Sequence, residues 1–150
     1  ATVLDTIRLI FPILIAKGAE SFAYFVQSLV LPLLLSSAFG LSDSQASALT
    51  ATTSLSVPLF GALLASAIDR AGPRAAALAG ATATALGRLL LAVSPSLTLY
   101  HAIVALVLLL PIGSALGMPV YTIALKRATI GKARTRAFGF FYATMNVGAA

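Results

Sequence analysis

The sequence predicts an all-α membrane protein built as an antiparallel bundle of transmembrane helices. Of its 150 residues, 59% are hydrophobic and only 9% are charged, with a mean hydropathy of +1.00. Soluble domains average about 45–50% apolar and roughly 25% charged residues, so these charges are too few to cover an aqueous surface. The charges are also segregated. Residues 46–68 and 75–87 carry none, whereas the turn between Asp69 and Arg74 carries three.

The apolar blocks are long enough for several membrane crossings, since a helix needs about 20 residues to span a hydrocarbon core. Helices are expected because lipid satisfies no backbone hydrogen bonds, and no stretch shows the alternating polarity of a barrel strand. We expect one domain over residues 1–150. Its five segments are 9–38, 43–68, 74–93, 97–125 and 137–150.

Each segment has its own boundary signals. The first is too long for a secretory signal and is interrupted by Lys17 and Glu20. The second begins near Asp43, where Ser42 and Gln45 have the spacing of a capping box. The third ends at a turn around Pro95, since proline cannot donate a helical hydrogen bond. The fourth segment follows directly.

The fifth segment reaches only about 14 residues, or roughly 21 Å, at 1.5 Å per residue. We therefore expect it not to complete a crossing and the chain to be an incomplete N-terminal bundle. The missing helices would belong to the rest of the same protein or to partner membrane subunits.

Basic residues mark two of the four connections. Cytoplasmic loops are enriched in Lys and Arg, so the N-terminus is predicted to be cytoplasmic and the protein to be multi-pass in a lipid bilayer. Cations confined to loops do not form a nucleic-acid-binding face, and we expect no nucleic-acid partner. The seven loop cations are Arg70, Arg74, Lys126, Arg127, Lys132, Arg134 and Arg136.

Lys17 and Glu20 are charged residues within the first segment, where each costs at least ~2.5–3.5 kcal/mol on insertion scales. Three residues apart, they can pair on one helical face. The pair indicates a substrate or proton pathway, because a carboxylate can carry protons; the alternative is an ion pair that only locks helices together.

Five polar residues of the first segment share one face, within an arc of about 100°. That face must contact protein or water. It comprises Lys17, Glu20, Tyr24, Gln27 and Ser28. Arg88, in the third segment, is predicted either to contact an anionic substrate or to extend to the membrane interface.

The turn Asp69-Arg70-Ala71-Gly72-Pro73-Arg74 resembles the Asp-Arg-x-Gly-Arg-Arg/Lys loop between the second and third helices of the major facilitator superfamily. The resemblance implies a partial N-terminal half of that fold. It also implies that Asp69, Arg70, Gly72 and Arg74 form a cytoplasmic latch that holds the outward-facing state. Pro73 departs from the basic residue usual there.

Two further motifs resemble the proton-dependent oligopeptide transporter family. Residues 138–149 are similar to its fifth-helix signature, an aromatic residue followed by Phe-Tyr and Asn-x-Gly. Residues 20–25 are similar to its first-helix Glu-Arg-Phe-x-Tyr-Tyr element. Ser21 replaces the arginine of that element, and Lys17 stands where the family has a glutamate.

These resemblances imply a proton-coupled secondary transporter of a small polar solute, such as a peptide or amino acid, that works by alternating access. Lys17 and Glu20 would form its proton-coupling pair. The substrate cavity would be lined by Tyr24, Gln27, Tyr142, Asn146 and Arg88.

The alternative is a structural membrane subunit that retains a transporter-like bundle without transporting. An enzyme is not expected, because one histidine and no cysteine leave no catalytic constellation. We expect no cofactor and no metal.

Overall fold

The computed structural model describes residues 3–148, and side chains at residue 8 and residues 10–148. Every regular element in this part of the chain is helical, which confirms the all-α prediction. Two compact units form, each described by itself: the first unit contains residues 3–29 and 121–148, and the second unit contains residues 30–120. The helices are α1 (Val3–Phe39), α2 (Asp43–Val93), α3 (Leu99–Val104), α4 (Leu110–Ala128) and α5 (Lys132–Val147).

Within the described residues, three stretches are long and apolar enough to cross a membrane: Ile10–Phe39, Asp43–Ser96 and Leu99–Ala128. Large apolar side chains are exposed along them, including Leu29, Leu33 and Leu55, each at least 70% exposed. Continuous apolar exposure of this kind is unfavourable in water and favourable against lipid chains. The chain is therefore an integral membrane protein.

The second unit begins with the turn from α1 into α2. Gly40 adopts a φ of 66°, which ends α1. The Gln45 amide then donates to the Ser42 side chain, and the Ser42 amide donates to the Gln45 side chain. This is the predicted capping box.

Gly72 interrupts α2. Its φ of 80° and ψ of 163° are non-helical, so α2 consists of two helical segments that meet at this residue. Residues with a Cβ rarely adopt such a positive φ, whereas glycine does so at little cost. Asp69, Arg70 and Arg74 lie exposed around this turn.

The C-terminal part of α2 packs against α4 through glycine. A Cβ added at Gly80 would lie 2.9 Å from the Gly113 carbonyl oxygen and 3.0 Å from the Gly117 amide nitrogen. One added at Gly87 would lie 2.9 Å from the Leu110 side chain. From Gly80 to Gly87 the residue numbers increase along α2, whereas their contacts on α4 move back from Gly117 to Leu110. These segments are therefore antiparallel. Small residues allow this close approach, which gives membrane helices their packing energy.

Between α3 and α4, residues 105–109 form a π-helical turn. Buried Pro111 lies two residues after this turn. Proline lacks an amide hydrogen, so it cannot complete the regular hydrogen-bonding pattern, and a wider turn before it accommodates the change.

The first unit has an apolar core in which Leu125, Ala137 and Phe141 are buried. The connection from α4 to α5 passes through Gly131, at a φ of 57°. The Arg134 guanidinium closes this turn by donating to the carbonyl oxygens of Thr129 and Lys126 at 2.9–3.1 Å. Arginine thus satisfies carbonyls left free at the end of α4.

We predict that Gly80→Ala destabilises the protein by about 1–3 kcal/mol, because its methyl group would meet backbone atoms of α4. Gly61→Ala, in the helical segment of α2 that precedes Gly72, is the control. No atom lies within 4 Å of its added Cβ, so it should be neutral or stabilise by up to ~1 kcal/mol. Thermal unfolding in detergent checks this, and equal shifts for the two variants would contradict the glycine contact.

Candidate functional site

The charges of α1 form one short ion pair. The Lys17 Nζ donates to the Glu20 Oε2 at 2.9 Å. The Lys17 side chain is 7% exposed and that of Glu20 is 23% exposed. Their spacing along the helix allows the pairing, as predicted. It is the only ion pair among the residues whose side chains the structure describes.

Two aromatic rings lie near the Lys17 ammonium. Its nitrogen lies 5.6 Å from the centroid of the Tyr121 ring and 6.0 Å from that of the Phe141 ring. A ring face carries partial negative charge, so each attracts a cation at this range. Side chains from α1, α4 and α5 therefore surround one ammonium group. We call Lys17, Glu20, Tyr121 and Phe141 the ammonium cage.

The helices around the ammonium cage approach closely at glycine. A Cβ added at Gly148 would lie 2.8 Å from the Gly18 carbonyl oxygen and 3.0 Å from the Ser21 Cβ. A Cβ added at Gly18 would lie 2.9 Å from the Thr144 methyl carbon. Small residues on both sides thus bring α5 against the face of α1 that carries Lys17. Gly18 contacts Thr144 and Ser21 contacts Gly148, so residue numbers increase in the same direction along both contact surfaces. The helices α1 and α5 therefore run parallel.

The other residues predicted to line a cavity lie outside the ammonium cage. Tyr24 is half exposed, and its ring meets the Phe25 ring edge-on at 5.5 Å. Tyr142 and Asn146 are exposed, each one position beyond a residue of the first unit's core. A one-residue step rotates a helix by about 100°, which places them on another face. Gln27 is half buried.

Arg88 belongs to the second unit, where it is half buried and follows Gly87 in the contact with α4. Its predicted substrate contact stays a prediction. No group of three or more potential metal ligands occurs in the part of the chain that the structure describes.

Tyr121 and Phe141 are absent from the sequence prediction of the site. Phe141 stands in the motif that resembles a fifth-helix signature, but only Tyr142 and Asn146 of that motif were assigned to the cavity. Tyr121 carries a weaker signal, a tyrosine next to Thr122 in an apolar segment. Neither signal indicates a contact with Lys17, because the rotation of a helix against its neighbours is not encoded in its own spacing.

Comparison with known families settles the broad class of the protein. A model of the Major Facilitator Superfamily matches residues 13–150, nearly all of the chain. The chain belongs to the Major Facilitator Superfamily. Comparison with curated proteins and with solved structures gives no match. Membership of this superfamily implies transport of a solute across a membrane, and its members are typically not enzymes.

The superfamily match also agrees with the partial helical bundle predicted from the motifs. It covers both the Asp69–Arg74 turn and the ammonium cage. It does not distinguish the proton-dependent oligopeptide transporters from other branches, so that closer resemblance stays a prediction.

We predict that Lys17→Met destabilises the protein by about 2–3 kcal/mol, because it leaves the partly buried Glu20 carboxylate without its partner. The double variant Lys17→Met/Glu20→Gln should recover at least ~1 kcal/mol, since it removes both charges. Thermal unfolding in detergent measures both, with Lys126→Met as a control at an exposed lysine. A double variant less stable than Lys17→Met would contradict an energetically coupled pair.

Proposed function

We propose that this superfamily member is a proton-coupled secondary transporter of a small polar solute, such as a peptide or an amino acid. The single observation that carries the proposal is the Lys17–Glu20 ion pair among apolar helices. Ionisable residues within membrane segments are costly, and they commonly mark ion or substrate pathways. A purely structural contact could be made by apolar packing at little or no cost.

Glu20 supplies the proton site in this mechanism. A proton arriving at its carboxylate removes the negative charge that holds the Lys17 ammonium at 2.9 Å. The partial exposure of Glu20 gives the proton a route that the more deeply buried Lys17 lacks. Protonation would thereby weaken the Lys17–Glu20 ion pair and favour a different arrangement of the helices. Coupling follows if solute binding prefers one of these arrangements.

The transport cycle would be alternating access, in which helical repeats rock around a site near the middle of the membrane. We propose five alternating segments, with the N-terminus and the Asp69–Arg74 turn on the cytoplasmic side. The parallel direction of α1 and α5 supports this, since three segments between two helices of an alternating bundle leave them parallel. Exposed cations at both basic turns also support the orientation.

The Asp69–Arg74 turn is proposed as the cytoplasmic latch of the outward-facing state. Gly72 supports this by its positive φ, which lets the chain reverse within a few residues. Asp69, Arg70 and Arg74 are exposed, so their charges are accessible to further helices.

We predict that Glu20→Gln abolishes proton-driven accumulation of solute by the full-length protein in proteoliposomes. Glutamine keeps an oxygen that accepts a hydrogen bond from Lys17, so the protein should still fold, at lower stability because the Lys17 charge is no longer paired, but glutamine cannot carry the proton. Asp43→Asn, at an exposed carboxylate outside the ammonium cage, is the matched control and should leave accumulation unchanged.

A screen with dipeptides, amino acids and nitrate would first establish the solute. Full proton coupling in Glu20→Gln would exclude Glu20 from the mechanism. If the wild-type protein binds partner membrane proteins but moves no solute, it is instead a structural subunit that retained the superfamily bundle.

We predict that Asp69→Asn slows turnover more than it weakens solute binding, because the latch stabilises a conformation and does not contact solute. Uptake rate and equilibrium binding, measured on the same preparation, separate the two effects. A turnover equal to that of the wild-type protein would exclude a latch at Asp69.

A further inference from the structure

The ammonium cage has the composition of a binding site for an organic cation. One carboxylate oxygen lies 2.9 Å from the ammonium nitrogen, and two aromatic rings lie within about 6 Å of it. Carboxylates and aromatic faces are the groups with which proteins recognise alkylated and primary ammonium ions. Here the occupant is a side chain of the same protein, the Lys17 ammonium.

Glu20 retains an unused binding position. Its Oε2 accepts the Lys17 hydrogen bond, whereas its Oε1 accepts none from the residues whose side chains the structure describes. The side chain is 23% exposed, so a second cation can reach the carboxylate while Lys17 is still bound. An ionised carboxylate accepts hydrogen bonds at both oxygens.

We propose that the transported solute carries an ammonium group, which exchanges with the Lys17 ammonium for the Glu20 carboxylate and the two aromatic faces. This inference rests on the proposed transport function and defines its substrate class. The solute ammonium first meets the exposed side of Glu20 and then replaces Lys17 between the rings.

Exchange keeps the charge of the ammonium cage constant, because the Lys17 ammonium leaves the cage on its flexible four-carbon stem as the solute ammonium enters. Glu20 is compensated before, during and after the exchange, which matters because an unpaired charge within a membrane is costly. Lys17 also repels a second cation, so the cage holds only one ammonium group at a time. A solute must therefore bind the ammonium cage strongly enough to displace the Lys17 ammonium.

Equilibrium binding of methylammonium to the purified full-length protein tests the exchange without any proton gradient. Lys17→Ala removes the tethered ammonium and opens its space, and it should bind methylammonium about tenfold more tightly than the wild-type protein, a gain typical of one desolvated cation–aromatic contact. Lys17→Met is the matched control. It also removes the charge but fills the space between the rings, so its gain in methylammonium affinity should be clearly smaller than that of Lys17→Ala.

The gain should depend on the rest of the ammonium cage. It should be lost in Lys17→Ala/Glu20→Gln, which removes the anionic partner, and reduced in Lys17→Ala/Tyr121→Leu, which removes one ring face. Equal methylammonium affinity in Lys17→Ala and Lys17→Met would overturn the proposal.

If Lys17→Ala is folded only with methylammonium present, that dependence supports the proposal, provided that sodium at the same concentration does not substitute. If Lys17→Ala does not fold under either condition, methylammonium binding to the wild-type protein becomes the test. Saturable methylammonium binding that Glu20→Gln removes supports the exchange, and its absence overturns it. Because this binding experiment measures no transport, its result does not depend on whether the uptake assay detects proton coupling.

Discussion

A charged pair inside an apolar helix must remain compensated, and the arrangement of the first unit follows from that requirement. Lys17 is buried, and its ammonium is satisfied by Glu20 together with the ring faces of Tyr121 and Phe141. The carboxylate comes from the same helix, but the rings come from α4 and α5. The ion pair thereby ties three helices to one point, since withdrawing either neighbouring helix would expose the lysine to lipid without its aromatic partners.

Close contact at that point depends on small residues. Lipid chains are as apolar as leucine, so membrane helices gain little from hydrophobic burial and associate through tight packing. Gly18 and Gly148 allow the backbones of α1 and α5 to approach near the ammonium cage. In the second unit, Gly80 and Gly113 do the same for α2 and α4. Close approach at glycine thus positions helices in both units, and the one ion pair among the described side chains lies in the first unit.

Superfamily membership and local chemistry define different parts of the function. Membership implies transport of a solute across a membrane, and it does not identify the solute. The composition of the ammonium cage narrows the class of solute, because a carboxylate and two ring faces around one ammonium position favour cations. Proton coupling and ammonium exchange use the same carboxylate in these proposals. A site shared in this way gives direct competition between proton and solute, which is one physical basis for coupled transport.

The sequence by itself determined the membrane class, the helical content, the capping box at Ser42 and the pairing of Lys17 with Glu20. Each follows from composition or from spacing within one helix, where geometry is fixed at 3.6 residues per turn. Tertiary structure alone decided that Tyr121 and Phe141 face the ammonium, while Tyr142 stays exposed on another face. These outcomes depend on the depth and rotation of each helix against its neighbours. For α1 and α5, the contact between Gly18 and Gly148 sets both, and no local sequence pattern predicts a contact between residues so far apart in the chain.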